Sequence, residues 1–145
     1  MFQRILLPTD GSDASERAVA AGVAFARALG ATVIGLTVTP EFHVVTADTA
    51  MVEDTPERFA ADSAAAARVR LAGVEAAARA AGVHCRLEHA VSDHPDEAIV
   101  DCALRLGCDL IAMGSHGRGG IKAMLLGSVT RNVLTRCDLP VLVYR

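Results

Sequence analysis

The sequence predicts an α/β fold in which helices cover both faces of an open parallel sheet. Short apolar runs rich in β-branched residues alternate with alanine-rich helical stretches, which is the pattern of successive βαβ units. The chain is 52% hydrophobic but only 3% aromatic and has no Trp. A core of Ala, Val, Leu and Ile suits close packing of helices on a sheet. With 145 residues, the chain is predicted to form a single domain spanning 1–145.

The first half of the chain is predicted to alternate two strands with one helix. Strand one covers residues 2–7, and a helix then opens near Ser12 or Asp13, either of which can cap it. Apolar residues recur at helical spacing until Gly30 ends the helix, and strand two covers residues 32–38. The periodicity is lost over residues 39–55, which we interpret as an exposed loop or short irregular helix, and as a lid over a pocket.

The second half repeats the alternation. A long helix runs from Pro56 to residue 81 and stops at Gly82, before strand three at residues 83–91. A shorter helix covers residues 95–106 and ends at Gly107, and strand four covers residues 109–113. A last helix at residues 129–136 leads to strand five at residues 141–144. Pro140 stands at the first residue of that strand and predicts a sheet edge.

Composition and charge exclude several functional classes. A net charge of -3, with both signs interspersed, gives no basic face for DNA or RNA. The apolar run at the N-terminus meets Pro8 after three residues, so neither a signal peptide nor a membrane span is predicted, and we expect a cytoplasmic protein. The four cysteines have no CxxC spacing and are interpreted as free thiols of a reducing compartment.

A glycine-rich segment after strand four is the informative motif. In open parallel sheets, ligands bind beyond the carboxyl ends of the strands. Four of the seven residues from Gly114 to Gly120 are glycine, which favours main-chain N–H groups that closely approach a ligand such as phosphate, or positive φ angles. Gly127 and Ser128 then stand at a helix start, which attracts anions. The alternative is a flexible loop before a glycine-capped helix.

The spacing differs from two common nucleotide motifs. Lys122 follows Ile121 rather than Gly, which breaks the P-loop pattern, and Gly117-x-Gly119 lacks a third glycine. The segment instead resembles the ATP-binding motif of the universal stress protein family, G-x2-G-x9-G-[S/T], through Gly114, Gly117, Gly127 and Ser128. Residues 5–12 and 140–143 are similar to the family's opening strand and turn and to its last strand.

The resemblance implies a Rossmann-like fold of the adenine nucleotide alpha hydrolase type, with strand order 3-2-1-4-5. It also implies a homodimer, which we place at the C-terminal strand Val141–Tyr144, and bound ATP, or AMP or ADP, with Mg²⁺ as a possible companion of the phosphates. The residues expected to hold the nucleotide are Pro8, Thr9, Asp10, Val38, Met113, Gly114, His116, Gly117, Arg118, Gly127, Ser128, Val129 and Thr130. Where many relatives have glycine, this chain has Asp93, which concerns the turn before the third helix.

Several side chains have alternative interpretations. Asp10 can contact ribose or adenine, form the turn and cap the first helix, or act as a catalytic carboxylate. His116 can contact phosphate, transfer a proton, or face solvent, and Arg118 and Lys122 can neutralise phosphate or be solvated. His84, His89 and His94 are interpreted as surface histidines, and no metal-ligating residue is predicted.

The sequence therefore predicts a nucleotide-binding stress-response sensor. A phosphate cradle is present without an evident general base, nucleophile or set of metal-holding carboxylates. Two alternatives remain at this point. The first is a slow ATPase or phosphotransferase that uses His116 or Asp10, and the second is a partner-binding dimer with an empty pocket.

Overall fold

A computed structural model describes residues 1–44, 54–117 and 125–145. Strands and helices alternate as predicted, with bounds within two residues of the predicted ones. They are β1 Arg4–Pro8, α1 Asp13–Leu29, β2 Thr32–Thr39, α2 Pro56–Ala81, β3 Cys85–Val91, α3 Pro95–Arg105, β4 Leu110–Gly114, α4 Ser128–Arg136 and β5 Val141–Tyr144.

Two strands begin two residues later than predicted, for different reasons. Phe2 precedes β1, whose pairing with β2 begins only at Arg4 and Thr32, but the Phe2 side chain still packs on the core. Val83 precedes β3 because its N–H donates to Ala78 O at 2.9 Å and so closes the end of α2. Hydrophobicity therefore predicted burial correctly at both residues, but pairing decided the strand limits.

The five strands form one parallel sheet in the order β3-β2-β1-β4-β5, which confirms the predicted topology. β1 lies in the centre, and β3 and β5 lie at the two edges. The chain adds β2 and β3 on one side of β1, and β4 and β5 on the other. A crevice therefore opens between β1 and β4, beyond the carboxyl ends of the strands.

The sheet has a hydrophobic core on each face. Ile5 and Leu7 of β1 pack with α1 and α2 residues, whereas Leu6 packs on the opposite face with α3 and α4 residues. Because successive side chains of a strand point to opposite faces, a strand buried on both sides reads as a continuous apolar run. The order of the strands thus places α1 and α2 on one face and α3 and α4 on the other.

The helix limits follow from local chemistry. Ser12, one of the two predicted caps, accepts a hydrogen bond from Ser15 N at 3.2 Å. Gly82 ends α2 in the left-handed conformation with φ of 67°, where a side chain would be strained. None of the helices in the three described stretches is long and apolar enough to cross a membrane.

The loop between β2 and α2 is shorter than predicted, because both of its end residues belong to the neighbouring elements. Thr39 is the last residue of β2, and Thr55 caps α2 by accepting a hydrogen bond from Arg58 N at 3.1 Å. Phe42 packs edge-on against Phe59 of α2 with ring centres 5.4 Å apart. Residues 45–53, which carry most of the predicted lid, lie outside the described part of the chain.

Candidate functional site

A pocket of about 200 Å³ lies at the carboxyl ends of β1, β2 and β4, on the face covered by α3 and α4. Predicted site residues from separate parts of the sequence meet there. They are Pro8, Thr9, Asp10, Val38, Met113, Gly114, His116, Gly117 and Val129. This is the place at which an open parallel sheet binds its ligands.

Asp10 forms the turn between β1 and α1. Its Oδ1 accepts hydrogen bonds from Ser12 N and from Ser15 Oγ, each at 2.9 Å. The buried Thr9 lies beside it, with its Oγ1 3.0 Å from Ser15 Oγ and its N–H donating to Leu36 O at 2.8 Å. Asp10 therefore has the predicted turn role, whereas the cap of α1 is Ser12, and Asp10 also lines the pocket.

The walls of the pocket are mainly apolar. Leu36 and Val38 come from β2, Ile99 from α3, Met113 from β4 and Val129 from α4. Ile99 and Met113 are 3% and 6% exposed, so this wall is fixed by the core rather than by mobile surface side chains. Such a wall suits a flat heterocycle, which loses water on binding.

His116 brings a polar group into this apolar surface. Its Nδ1 lies 3.0 Å from Ser115 Oγ, a contact that holds the ring. Its Nε2 is buried, and no residue that the structure describes gives it a hydrogen-bond partner. His116 is therefore half-buried rather than a fully solvent-facing loop side chain. A buried imidazole nitrogen in a pocket fits a polar ligand atom, because an unsatisfied nitrogen costs about 1–3 kcal/mol.

The glycines of the motif are required because a side chain would collide with neighbouring atoms, and not because of a positive φ. A side chain at Gly117 would collide with the carboxylate of Asp10, and a Cβ at Gly127 would lie 3.2 Å from Ser115 O. A Cβ at Gly114 would lie 3.3 Å from Ala14 O. None of these three glycines has a positive φ. Of the two reasons proposed for the glycines, positive φ does not apply to these three. The atoms that they closely approach are those of the protein itself, and approach to a phosphate stays a prediction.

The start of α4 is fastened to the end of β4. Gly127 is the N-cap residue, and its N–H donates to Ser115 O at 2.6 Å. The buried Thr130 donates from Oγ1 to Gly114 O at 2.8 Å. Gly127, Ser128 and Thr130 are not among the residues that line the pocket. That they contact a nucleotide stays a prediction, and Arg118 and Lys122 lie outside the described residues.

The turn before α3 forms although Asp93 replaces the glycine of many relatives. No non-glycine residue in the described ranges has a positive φ, so Asp93 adopts an ordinary conformation. Its Oδ1 accepts a hydrogen bond from Glu41 N at 3.0 Å. Of the three histidines interpreted as surface residues, His89 is exposed but also bonds through Nε2 to Thr39 Oγ1 at 2.7 Å.

Sequence reasoning missed four lining residues, Ser15, Leu36, Pro95 and Ile99. Ser15 had a signal, since it follows Asp10 within the first turn of α1 and its hydroxyl can reach back to that carboxylate. Leu36 lies two residues before Val38, on the same face of β2. Pro95 and Ile99 are one helical turn apart on α3, so they share a face. Which face meets the crevice was decided by tertiary packing.

Comparison with known proteins gives a consistent result over the whole chain. A model of the universal stress protein family matches residues 1–145. The protein named "Universal stress protein in QAH/OAS sulfhydrylase 3'region" from Thermus aquaticus is 34% identical over 146 residues, which cover 100% of both chains.

Solved structures agree with the sequence comparison. The structure of the hypothetical protein MJ0577 of Methanocaldococcus jannaschii is similar with a TM-score of 0.82 and 32% identity, covering 99% of this chain and 95% of that one. A universal stress protein solved in complex with cAMP has a TM-score of 0.69 and 28% identity, covering 99% and 97% of the two chains.

Proposed function

This chain is a member of the universal stress protein family, and on that premise we propose that it binds an adenine nucleotide, ATP by preference, in the pocket at the carboxyl ends of β1, β2 and β4. The apolar wall would take the base. The end of β4 and the start of α4 would take the ribose and phosphates. The relative solved with cAMP supports a nucleotide of this class.

The observation that carries the proposal is the buried Nε2 of His116. The ring is held by Ser115, His116 lines the pocket, and its Nε2 is buried without a described partner. A ribose hydroxyl or phosphate oxygen would supply the missing hydrogen bond and remove the penalty of the buried nitrogen. An apolar ligand alone would leave that penalty in place, which is why the proposal requires a ligand that is apolar at one end and polar at the other.

Each part of the chain then has a defined role. Leu36, Val38 and Met113 would exclude water from the base. Asp10 is oriented by Ser12 and Ser15, so this lining residue is held at a fixed position beside the ligand. The N–H groups at the start of α4 favour negative charge, and Mg²⁺ would neutralise part of the phosphate charge when it accompanies the nucleotide.

Copurified nucleotide gives the direct test. The chain has no Trp and a single Tyr, so a bound adenine dominates the ultraviolet spectrum near 260 nm. Native mass spectrometry identifies the ligand, and equilibrium dialysis with ATP, ADP and AMP ranks the affinities. We expect ATP to bind most tightly. A protein that takes up none of the three nucleotides would instead be the partner-binding dimer with an empty pocket.

Matched variants locate the site. His116→Ala should weaken ATP binding at least tenfold, while His84→Ala, on the surface before β3, should leave the affinity unchanged. Gly117→Ala should also weaken binding, because its methyl group would push aside the carboxylate of Asp10. Gly73→Ala is the control, since no atom lies within 4 Å of a Cβ there. Equal affinity in all four variants would place the nucleotide elsewhere.

We further propose that the nucleotide acts as a signal, in a homodimer formed through β5. Occupancy would restrain the end of β4 and the start of α4 and so alter the surface presented to partners. Hydrogen exchange measured with and without ATP tests this. We expect slower exchange both in peptides from residues 114–128 and in those of the dimer surface. Protection limited to the pocket would mean that ATP binds without acting as a signal.

Slow hydrolysis of ATP is a second function, favoured by the same imidazole nitrogen, which could accept a proton from an attacking water. The two roles of His116 differ in measurable quantities. For binding, His116→Ala raises Kd. For hydrolysis, it lowers turnover at saturating ATP while Kd stays constant. Turnover that persists in this variant would exclude His116 as the base.

A further inference from the structure

A second group of chemically active side chains lies at the carboxyl ends of β2 and β3. Glu41 and His43 follow β2, and Asp93 follows β3. One ligand atom from each of the three lies within 4.8 Å of the other two. None of the three lines the pocket assigned to the nucleotide.

The protein backbone brings these side chains together across about 50 residues of sequence. Ser92 N donates to Thr39 O at 2.8 Å, which continues the pairing of the two strands past their ends. Glu41 N donates to Asp93 Oδ1 at 3.0 Å, and Asp93 Oδ2 lies 2.5 Å from His43 Nε2. The hydrogen bond from Glu41 fixes one oxygen of Asp93, so the other oxygen stays directed at the imidazole.

The segment after β2 is anchored from its other side. Phe42 packs on Phe59 of α2, with ring centres 5.4 Å apart. Phe42 stands between Glu41 and His43, whose ligand atoms converge with that of Asp93. The packing of Phe42 therefore anchors the short segment that carries two of the three ligands.

The charge of the group favours a cation. Two carboxylates and one imidazole converge, and in the described part of the chain no Arg or Lys forms an ion pair with any of them. The side chains of His43 and Asp93 are 64% and 34% exposed, so an ion can enter from solvent. Exposure also leaves the side chains the rotamer freedom to approach an ion.

We propose that Glu41, His43 and Asp93 form a binding site for a divalent transition-metal ion, with Zn²⁺ as the best match. Imidazole nitrogen and carboxylate oxygen are both zinc ligands, and three protein ligands with water in the fourth position make up an open zinc site. Ligand atoms around a tetrahedral zinc ion lie roughly 3.4 Å apart, given bonds of about 2.1 Å. The ion would take the place of the hydrogen between His43 and Asp93. Water would complete the coordination.

The site was not found by sequence reasoning, which predicted no metal ligand. His43 stands in a stretch without periodicity, and Asp93 was considered only for its turn. Spacing along the chain gives no signal when ligands lie 50 residues apart. A bound ion would join the ends of β2 and β3 next to Val38 and Pro95, which line the nucleotide pocket.

Isothermal titration calorimetry of the full-length, metal-free protein with Zn²⁺ tests the proposal. We expect one site per chain. His43→Ala and Asp93→Asn should each weaken binding at least tenfold, while His84→Ala, a histidine outside the group, should bind as the wild type does. Asp93→Asn keeps an oxygen for the Glu41 N–H, so it removes charge with little change of the turn.

Co²⁺ absorption separates this site from the four cysteines, since thiolate ligands add an intense near-ultraviolet band and oxygen and nitrogen ligands do not. A visible cobalt spectrum without that band, lost in His43→Ala, supports the site. Absence of stoichiometric Zn²⁺ binding, equal affinity in His43→Ala and wild type, or a thiolate band that persists in that variant would each overturn it.

Discussion

The two edges of the sheet differ in length, charge and shielding. β3 pairs with β2 over seven positions and carries Arg86 and Glu88, whereas β5 pairs with β4 over four positions and has no charged residue. Glu88 bonds Arg86 at 2.7 Å and Arg105 of α3 at 3.1 Å. On β5, Leu142 and Tyr144 are 42% and 44% exposed.

The difference indicates which edge is built to meet another chain. Charged side chains on an edge strand oppose pairing because association would strip water from them. Exposed apolar side chains do the reverse. The β3 edge therefore has the features of a protected edge, and the β5 edge those of a contact surface, which supports the proposed homodimer through Val141–Tyr144.

The largest expected effect is loss of the dimer in Val143→Pro. Pro140 O accepts a hydrogen bond from Ile111 N of β4, and Tyr144 O accepts one from Ser115 N just after it, so by alternation Val143 directs its N–H to the open edge. Proline would remove that donor without breaking a bond to β4. Sedimentation should show a fall from dimer to monomer mass.

The other edge supplies the matched control for this variant. Val33 N bonds His84 O and Ser92 N bonds Thr39 O, so Val91 of β3 also directs its N–H outward. Val91→Pro should leave the dimer intact. If Val143→Pro sediments like the wild type, or if Val91→Pro dissociates the protein, the assignment of the edges is wrong.

A charge on β5 should weaken the dimer without abolishing it. Leu142→Lys would place an ammonium group on the apolar edge, where desolvation opposes association. We expect the dimer Kd to rise about tenfold, equivalent to about 1.4 kcal/mol. Leu104→Lys is the control, since Leu104 is 60% exposed but belongs to α3 rather than to β5. Equal Kd values for the two variants would contradict a contact at Leu142.

Removing the charges of β3 should create a second adhesive edge. In Arg86→Val with Glu88→Val the strand becomes apolar over most of its length. Light scattering should show assemblies larger than a dimer that increase with concentration. Arg79→Val with Glu75→Val removes an ion pair of α2 and serves as the control. A double β3 variant that stays dimeric would show that these charges do not protect the edge.

The smallest effect concerns pH. Burial alone would raise the pKa of Glu88, but hydrogen bonds from Arg105 and Arg86 outweigh it and hold the pKa below its ordinary value. Glu88 therefore stabilises the fold above the unfolded pKa, and this stabilisation is lost as pH falls through the lowered one. Glu88→Gln should lose at most about 1 kcal/mol of unfolding free energy at pH 7.

Denaturant titration at a series of pH values checks this prediction. The difference in unfolding free energy between wild type and Glu88→Gln should shrink as the pH is lowered below the ordinary carboxyl range. A difference that stays constant with pH would mean that the variant acts through packing rather than through charge.

Much of the fold was predictable because its signals are local. Ser12 capped α1, Gly30 and Gly82 ended helices at the predicted residues, and the glycine motif began where β4 ended. Strand limits were less predictable, because they depend on where a neighbouring strand begins. Val83 lies outside β3 because its N–H donates to Ala78 O at the end of α2. A hydrophobic pattern does not indicate such a hydrogen bond.

The part of the candidate site formed by the strand ends was predictable, and the part formed by α3 was not. Asp10, Val38 and Met113 were predicted from strand ends and the family resemblance, and the structure brings them to one pocket. Ile99 was missed, since its contribution depends on how α3 is rotated against the sheet. The buried state of His116 Nε2 was also not predictable, because burial of a single atom depends on neighbours that are distant in sequence.

By itself the sequence determined the kinds and order of the elements, the family, and the glycines that allow close approach, because periodicity, caps and motifs act over a few residues. Tertiary structure decided which side chains meet. The burial of His116, the ion pairs that shield β3, and the convergence of His43 with Asp93 each join residues from separate elements. Such contacts arise only when packing fixes the distances between those elements.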